Sequence, residues 1–239
     1  MSTITDPRAR LRDAQKALIQ EAILDGAEAA FASDGYDNAK VQAIAAEAGV
    51  SLAKLYTTFP GKWDLYRAVH KRRLDVLMRE ITGALRQAGD IAPLDQLLLA
   101  HGLHTRFHME HVEYLRMHLQ DRIVWSSAEG LRCEEQQAAW EAGLRMMVRS
   151  LKRGRKDGSI VDEDPELLAR NALAMQQVQL AMWLDRGMKQ DIEGVVGTLQ
   201  RQLLRLLCPA ECFNAELARL EAAPGGALYL HAREVGASV

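Results

Sequence analysis

Apolar residues recur every three to four positions along almost the whole chain, and nowhere does an apolar–polar alternation persist. A period near 3.6 belongs to a helix with one buried stripe, and a period of two to a half-buried strand. The pattern therefore predicts an all-α protein. Leu18, Ala22, Ala29, Ala30 and Phe31, widened by Ile19, Ile23 and Ala27, mark the buried stripe of a first helix that stops at Gly35. Asp37 and Asn38 are suited to cap a second, short helix from about Ala39 to Ala48, with Gly49 as its stop. Ser51 caps a third, Leu52 to Thr58, ended by Pro60-Gly61, and a fourth runs from Lys62 to about Gly89.

Further helices are expected from Pro93 to Met109, His111 to Val124, Gly130 to Lys156, Asp191 to Leu207 and Ala210 to Ala222. Asp164-Pro165-Glu166 is a helix start, with a capping Asp, Pro in the first turn and acid near the positive end of the dipole. That helix reaches about Arg186, and the Gly- and charge-rich stretch before it, from Gly154, reads as a loop. From Pro224 the chain is expected to be a frayed tail.

The 239 residues carry 30 basic and 32 acidic side chains, so net charge gives no support to nucleic-acid binding. Any such function must rest on where the charges sit. Cys133, Cys208 and Cys212 are too few and too scattered for a disulfide framework. Met1 to Arg12 lacks the apolar run of a signal peptide, and no apolar stretch is long enough to span a bilayer. A soluble cytoplasmic protein is the expectation. No Ser-His-Asp pattern, phosphate loop or HExxH is present, so neither an enzyme nor a cofactor is expected.

Two short helices joined by a tight Gly turn are the pattern of a helix-turn-helix. Here it runs from Val41 through Gly49-Val50-Ser51 to Tyr56. Ile44, Ala45, Val50 and Leu55 are placed to pack the helices, with small Ala48 and Gly49 at the turn. The second helix can then enter a major groove by its N-terminal end. Ser51, Ala53, Lys54, Thr57 and Thr58 point away from its apolar face. Lys54 suits guanine or phosphate, and the threonines suit base edges. Tyr56 and Lys62 suit phosphates, and Lys40 and Gln42, at the start of the motif, are further candidates for DNA contact. Arg8, Arg10, Arg12 and Lys16 are read as an arm on the phosphate backbone, and Lys71-Arg72-Arg73 as a solvated helix face.

The segment from residue 18 to 70 resembles the N-terminal domain of the TetR (tetracycline repressor) family. The resemblance is carried by Phe31, Gly35 and Tyr36 at the end of the first helix, by Ile44-Ala45 and Ala48-Gly49-Val50-Ser51 at the turn, and by Leu55-Tyr56, Phe59 and Lys62 at the exit. Three positions depart from the family's pattern. Ala39-Lys40 stand where Thr or Ser often opens the second helix. No Gly precedes Leu55-Tyr56, and Thr57-Thr58 replace an aromatic or His pair. The resemblance implies a helix-turn-helix DNA-binding domain over 13–62 and a helical effector-binding and dimerisation domain over 63–222, leaving 223–239 as the tail. It further implies a homodimeric, ligand-responsive regulator of double-stranded DNA, released from a near-palindromic operator.

The second half adds His101, His104 and His108 at i, i+3 and i+7 on one helix stripe. Such a stripe lines a polar pocket or, alternatively, holds a metal; a metal-responsive regulator and an effector-independent DNA-binding protein stay open beside the main reading. Met117, Trp125, Met147 and Met175 offer adaptable apolar surface, Phe107 an aromatic one, and Gln176 and Gln179 polar contacts. With His104 and His108 they are the candidate lining for an apolar or aromatic effector. Ala169, Ala172, Ala174 and Ala181, with Leu173, Val178, Leu199, Leu203 and Leu206, are the candidate dimer surface.

Overall fold

A computed structural model describes residues 7–228. Among them are ten helices: α1 Pro7–Asn38, α2 Val41–Glu47, α3 Leu52–Thr58, α4 Lys62–Ala88, α5 Pro93–Glu110, α6 Val112–Gln120, α7 Glu134–Asp157, α8 Pro165–Asp185, α9 Ile192–Leu207 and α10 Ala210–Glu221. No strand occurs among the described residues; the isolated bridge Val124–Glu129 is extended pairing of the smallest kind. The chain divides into two compact units. One takes the residues up to Arg73 together with Glu113–Asp121, and the other takes Leu74–Val112 and the residues from Arg122 onward. The first unit therefore contains the expected 13–62 segment and adds the front of α4 and nearly all of α6.

In the first unit the buried stripe of α1 is Ile23, Leu24, Ala27, Phe31 and Ala32. This corrects the expected stripe: Leu18 is 72 % exposed and Ala29 is exposed. Burial starts a turn and a half later, where Gly26 lets α1 meet α2. A Cβ on Gly26 would stand 3.3 Å from the Ile44 carbonyl oxygen. At Gly35 (φ 72°) the helical path breaks and then resumes for one turn. That turn overturns the expected caps of α2. Asn38 Nδ2 donates back to the Asp34 carbonyl, and Lys40 stands at the N-cap without a side-chain bond.

Phe31, Tyr36 and Trp63 surround the wholly buried Tyr66, with ring centroids 5.0–5.6 Å from it. Tyr66 Oη donates to Asp121 Oδ2 at 2.6 Å, and His70 Nδ1 lies 3.0 Å from Tyr114 Oη. These bonds join α6 and the residue that follows it to a cluster otherwise built by α1 and α4. Beside it, Arg72 reaches Glu21 (3.0 Å), Asp25 (2.8 Å) and Glu28 (2.7 Å), while Arg73 Nε lies 2.8 Å from Glu28. Arg72 and Arg73 are thus a clamp on buried Glu28, not the solvated face expected. Burial disfavours the Arg72 charge, and the three carboxylates more than offset this, raising its pKa.

The second unit is a bundle of α5, α7, α8, α9 and α10 around Leu97, Leu98, Leu151, Leu168, Leu199 and Leu203. Asp164 and Asp191 cap α8 and α9 by accepting from Glu166 N (3.1 Å) and Gly194 N (2.8 Å). Residues 121–133, expected as helix at both ends, form a turn-rich loop between α6 and α7. Nor is the chain frayed directly after Pro224. Leu228 N donates to Gln200 Oε1 (2.8 Å), and Gln200 Nε2 donates to the carbonyls of Leu228 (3.0 Å) and Leu98 (3.1 Å). Among the described residues no helix is long and apolar enough to cross a membrane.

Candidate functional site

The helix-turn-helix is built by α2 and α3. Ile44, Ala45 and Leu55 are buried between and behind the two helices, and Val50 is half-buried. Gly49 holds φ at 64°, a backbone conformation that costs other residues a clash of their Cβ. Ser51 Oγ accepts from Lys54 N at 3.1 Å, so α3 begins where its cap predicts. Leu55 is the fully buried side chain of this short helix, which leaves Ser51, Ala53, Lys54, Tyr56 and Thr57 exposed on the other side, with Thr58 half-buried. Lys40 and Gln42 are exposed at the start of α2.

The two threonine hydroxyls have their protons committed. Thr57 Oγ1 donates to the Ala53 carbonyl (2.8 Å) and Thr58 Oγ1 to that of Lys54 (3.0 Å). This back-bonding fixes the rotamers and leaves each threonine an acceptor and a methyl group. Such a side chain suits a base amino group or a thymine methyl. Guanine, which presents acceptors in the major groove, falls to Lys54. Lys62, expected on phosphate, has Nζ bonded to the Asp37 carbonyl (2.9 Å) and lies 5.0 Å from the Tyr36 ring centroid. It ties the start of α4 to the last turn of α1. Arg8, Arg10, Arg12 and Lys16 are exposed on the first turns of α1, so they belong to a helix and not to an extended arm.

In the second unit α5 and the loop after α6 bring together four of the expected lining residues. His104 and His108 rings are 4.5 Å apart, the Trp125 ring is 5.0 and 4.9 Å from them, and Phe107 is 5.5 Å from His108. Gln176 adjoins them from α8, donating to Thr105 Oγ1 (2.7 Å) and the His101 carbonyl (3.1 Å). Met147 instead packs in the core, Met175 lies half-buried against that core, and Gln179 bonds the Val195 carbonyl (2.6 Å). Met117 is buried on α6, in the first unit. His101 and His108 are pushed down to about 4 by burial, against which their hydrogen bonds to Gln176 and the His104 carbonyl act; His104 is lowered well below its ordinary value by burial and by His108 and His101. No group of three His, Cys, Asp or Glu side chains able to hold a metal occurs among the described residues.

Three residues outside the expected lining position this cluster. Gln177 accepts from Trp125 N (3.0 Å) and donates to the Ile123 carbonyl; Trp140 Nε1 donates to the Trp125 carbonyl (2.7 Å); Arg170 donates to the Ser126 carbonyl (2.6 Å). They nail the 121–133 loop to α7 and α8. Each contact spans 15 to 54 residues, beyond the reach of local pattern.

Residues 23–69 match the profile of bacterial regulatory proteins of the tetR family. The chain is 30 % identical over 165 residues, 69 % of its length, to the HTH-type transcriptional regulators RutR of Escherichia coli O157:H7 and of strain K12. Residues 23–69 thus carry the N-terminal domain of the TetR family. The chain spans 65 % of the length of those RutR relatives. Among solved structures, the fatty acid degradation regulator FadR of Bacillus halodurans superposes with a TM-score of 0.64, at 18 % identity over 77 % of this chain and 94 % of its own. FadR of Bacillus subtilis, in complex with stearoyl-CoA, superposes at 0.61, with 19 % identity over 77 % and 96 %. SmeT, the repressor of a Stenotrophomonas maltophilia multidrug efflux pump, superposes at 0.58, with 24 % identity over 80 % and 91 %. At these identities the superpositions establish the TetR-like helical fold.

Of the candidate dimer surface, Ala169, Ala172, Leu199 and Leu203 are buried in the chain's own core. What α8 and α9 leave outward is narrower. Val178 and Met182 are 58 % and 42 % exposed and, with Ala174 and Leu206, line a groove of about 1150 Å³.

Proposed function

We propose that this chain is a TetR-family transcriptional regulator that grips a near-palindromic operator as a homodimer and releases it when a small apolar or aromatic effector binds. The observation that carries the reading is α3, whose one buried residue leaves a face of Ala53, Lys54, Tyr56 and Thr57 exposed beside the Gly49 turn. In a dimer two such helices lie about 34–36 Å apart, one turn of DNA. Lys54, Thr57 and Thr58 read bases; Ser51, Lys40, Gln42 and Tyr56 hold phosphates or the groove edge. Lys62 orients α4 for them. A DNA target places the protein in the cytoplasm.

The second copy sits on the outward stripe of α8 and α9, since Val178 and Met182, at helical spacing, form an apolar face left exposed among the described residues. The effector lies beside His104, Phe107, His108, Trp125 and Gln176. The chain passes between the two units within α4, between Arg73 and Leu74, and again at each end of Glu113–Asp121; of these, α4 is the proposed lever. The effector acts only by binding the DNA-competent and released states unequally.

Selection from a random DNA pool yields the operator, and Lys54→Ala tests the reading of it. The variant is expected to lose about 5- to 150-fold in affinity, confined to one base pair of each half-site. A uniform loss on all sequences, with a salt slope smaller by about one, would make Lys54 a phosphate contact instead. A chain that enriches no sequence would end the proposal. Val178→Glu is expected to halve the mass seen by light scattering and to weaken operator binding with it. A dimer that survives Val178→Glu would move the interface elsewhere.

A further inference from the structure

The histidine stripe of α5 faces the interior with its lone pairs. Gln176 Nε2 donates to two acceptors, the His101 carbonyl and Thr105 Oγ1, so its oxygen is the atom 3.1 Å from His101 Nδ1. An amide oxygen can only accept; the proton therefore sits on Nδ1 and Nε2 carries a bare lone pair. His101 is buried, and its Nε2 has no hydrogen-bond partner. In His108 the Nδ1 faces the His104 carbonyl at 3.0 Å, which places the proton on Nδ1 and makes Nε2 an acceptor. His104, between them, has Nδ1 sealed from solvent and also without a partner. Buried polar atoms in folded proteins are nearly always satisfied, and an exception calls for a role.

We propose that this stripe is an acceptor-only subsite that takes the hydroxyl or N–H donor of an uncharged aromatic effector and rejects carboxylates. The proposal rests on the effector-responsive reading above and specifies the chemistry of that same site. Donor acceptance follows from the tautomers, which Gln176 and the His104 carbonyl fix. The aromatic preference follows from Trp125, whose ring stands at 85° to His104 and 4.9 Å from His108. Charge selection follows from neutrality: burial keeps His101 and His108 uncharged near pH 7. The guanidinium on the same helix, Arg106, lies 3.7 Å from Glu110. A carboxylate entering here would meet lone pairs and no countercharge.

The test uses the full chain with ¹⁵N-labelled histidine at pH 7.5 and three probes of one size: phenol, anisole and benzoate. In the free protein His101 Nε2 should resonate as an unprotonated imidazole nitrogen. Phenol should move that resonance towards the hydrogen-bonded position and raise the melting temperature, while anisole and benzoate do neither. His101→Phe should weaken phenol binding at least tenfold. A proton on His101 Nε2 in the free protein overturns the proposal without any variant. So does a phenol titration that leaves the resonance in place, or an equal stabilisation by anisole or benzoate. Operator release by small molecules, followed separately by fluorescence anisotropy, tests the effector-responsive reading itself. A compound without a donor that releases DNA would leave that reading standing and sink this one.

Discussion

Glu28→Ala is expected to unfold the DNA-binding unit about 10 °C below the wild type, and operator binding should vanish over the same temperature range. Glu28 is only 3 % exposed and receives Arg72 NH2 at 2.7 Å and Arg73 Nε at 2.8 Å. Removing one partner of a buried ion pair leaves the other charge desolvated and uncompensated, at about 3–5 kcal/mol. Here the lower end applies, because Arg72 keeps Glu21 and Asp25. About 3 kcal/mol corresponds to roughly 6–12 °C in a chain of this size. Glu21→Ala is the control: its carboxylate is 59 % exposed, and an exposed pair contributes less than about 1 kcal/mol. Differential scanning calorimetry of the two variants decides the matter. Equal midpoints would show that the clamp on Glu28 carries no more than a surface pair.

The clamp also marks a limit of local pattern. Lys71-Arg72-Arg73 looks like any basic run on a solvated helix, because the acids that claim it lie 44 to 51 residues earlier. The same holds for α6. Its helical period and its approximate position are local facts, and the sequence displays both. Its membership of the first unit is decided by Tyr66–Asp121 and His70–Tyr114, pairs 55 and 44 residues apart. By contrast α3 was legible to the residue, since a serine cap, a glycine before it and Pro60-Gly61 after it all act within a few positions. In α1, Ile23, Ala27 and Phe31 are buried as expected, but the start of the stripe was placed more than a turn too early. Leu18 has the right spacing, but only the packing of α2 at Gly26 says where burial begins. Among the effector candidates, His104, Phe107, His108, Trp125 and Gln176 come together. Met147 and Met117 show why a methionine predicts burial better than it predicts a pocket.

The buried histidines impose a pH dependence whose sign is fixed by their neutrality. An unfolded imidazole takes its proton near 6.5, whereas His101 and His108 in the folded chain do so at about 4. Between those values the unfolded state binds more protons, so stability falls as pH drops from 6.5 towards 4 and is independent of these groups above 6.5. A depression of two to three pH units is worth about 3 kcal/mol for each histidine, and His104 adds in the same direction. For a domain whose whole stability is about 5–15 kcal/mol, that is a large fraction. Urea midpoints of the wild type should hold steady from pH 8 to 7 and drop steeply from 6 to 4.5. Carboxylates also contribute to acid unfolding, so the discriminating quantity is the slope and not the offset. His101→Phe and His108→Phe should each flatten the curve by up to one proton, about 1.4 kcal/mol per pH unit, whatever they do to the stability at pH 7.5. Curves parallel to the wild type would mean that α5 opens to water at low pH before its histidines charge, and that the stripe is less sealed than its burial implies.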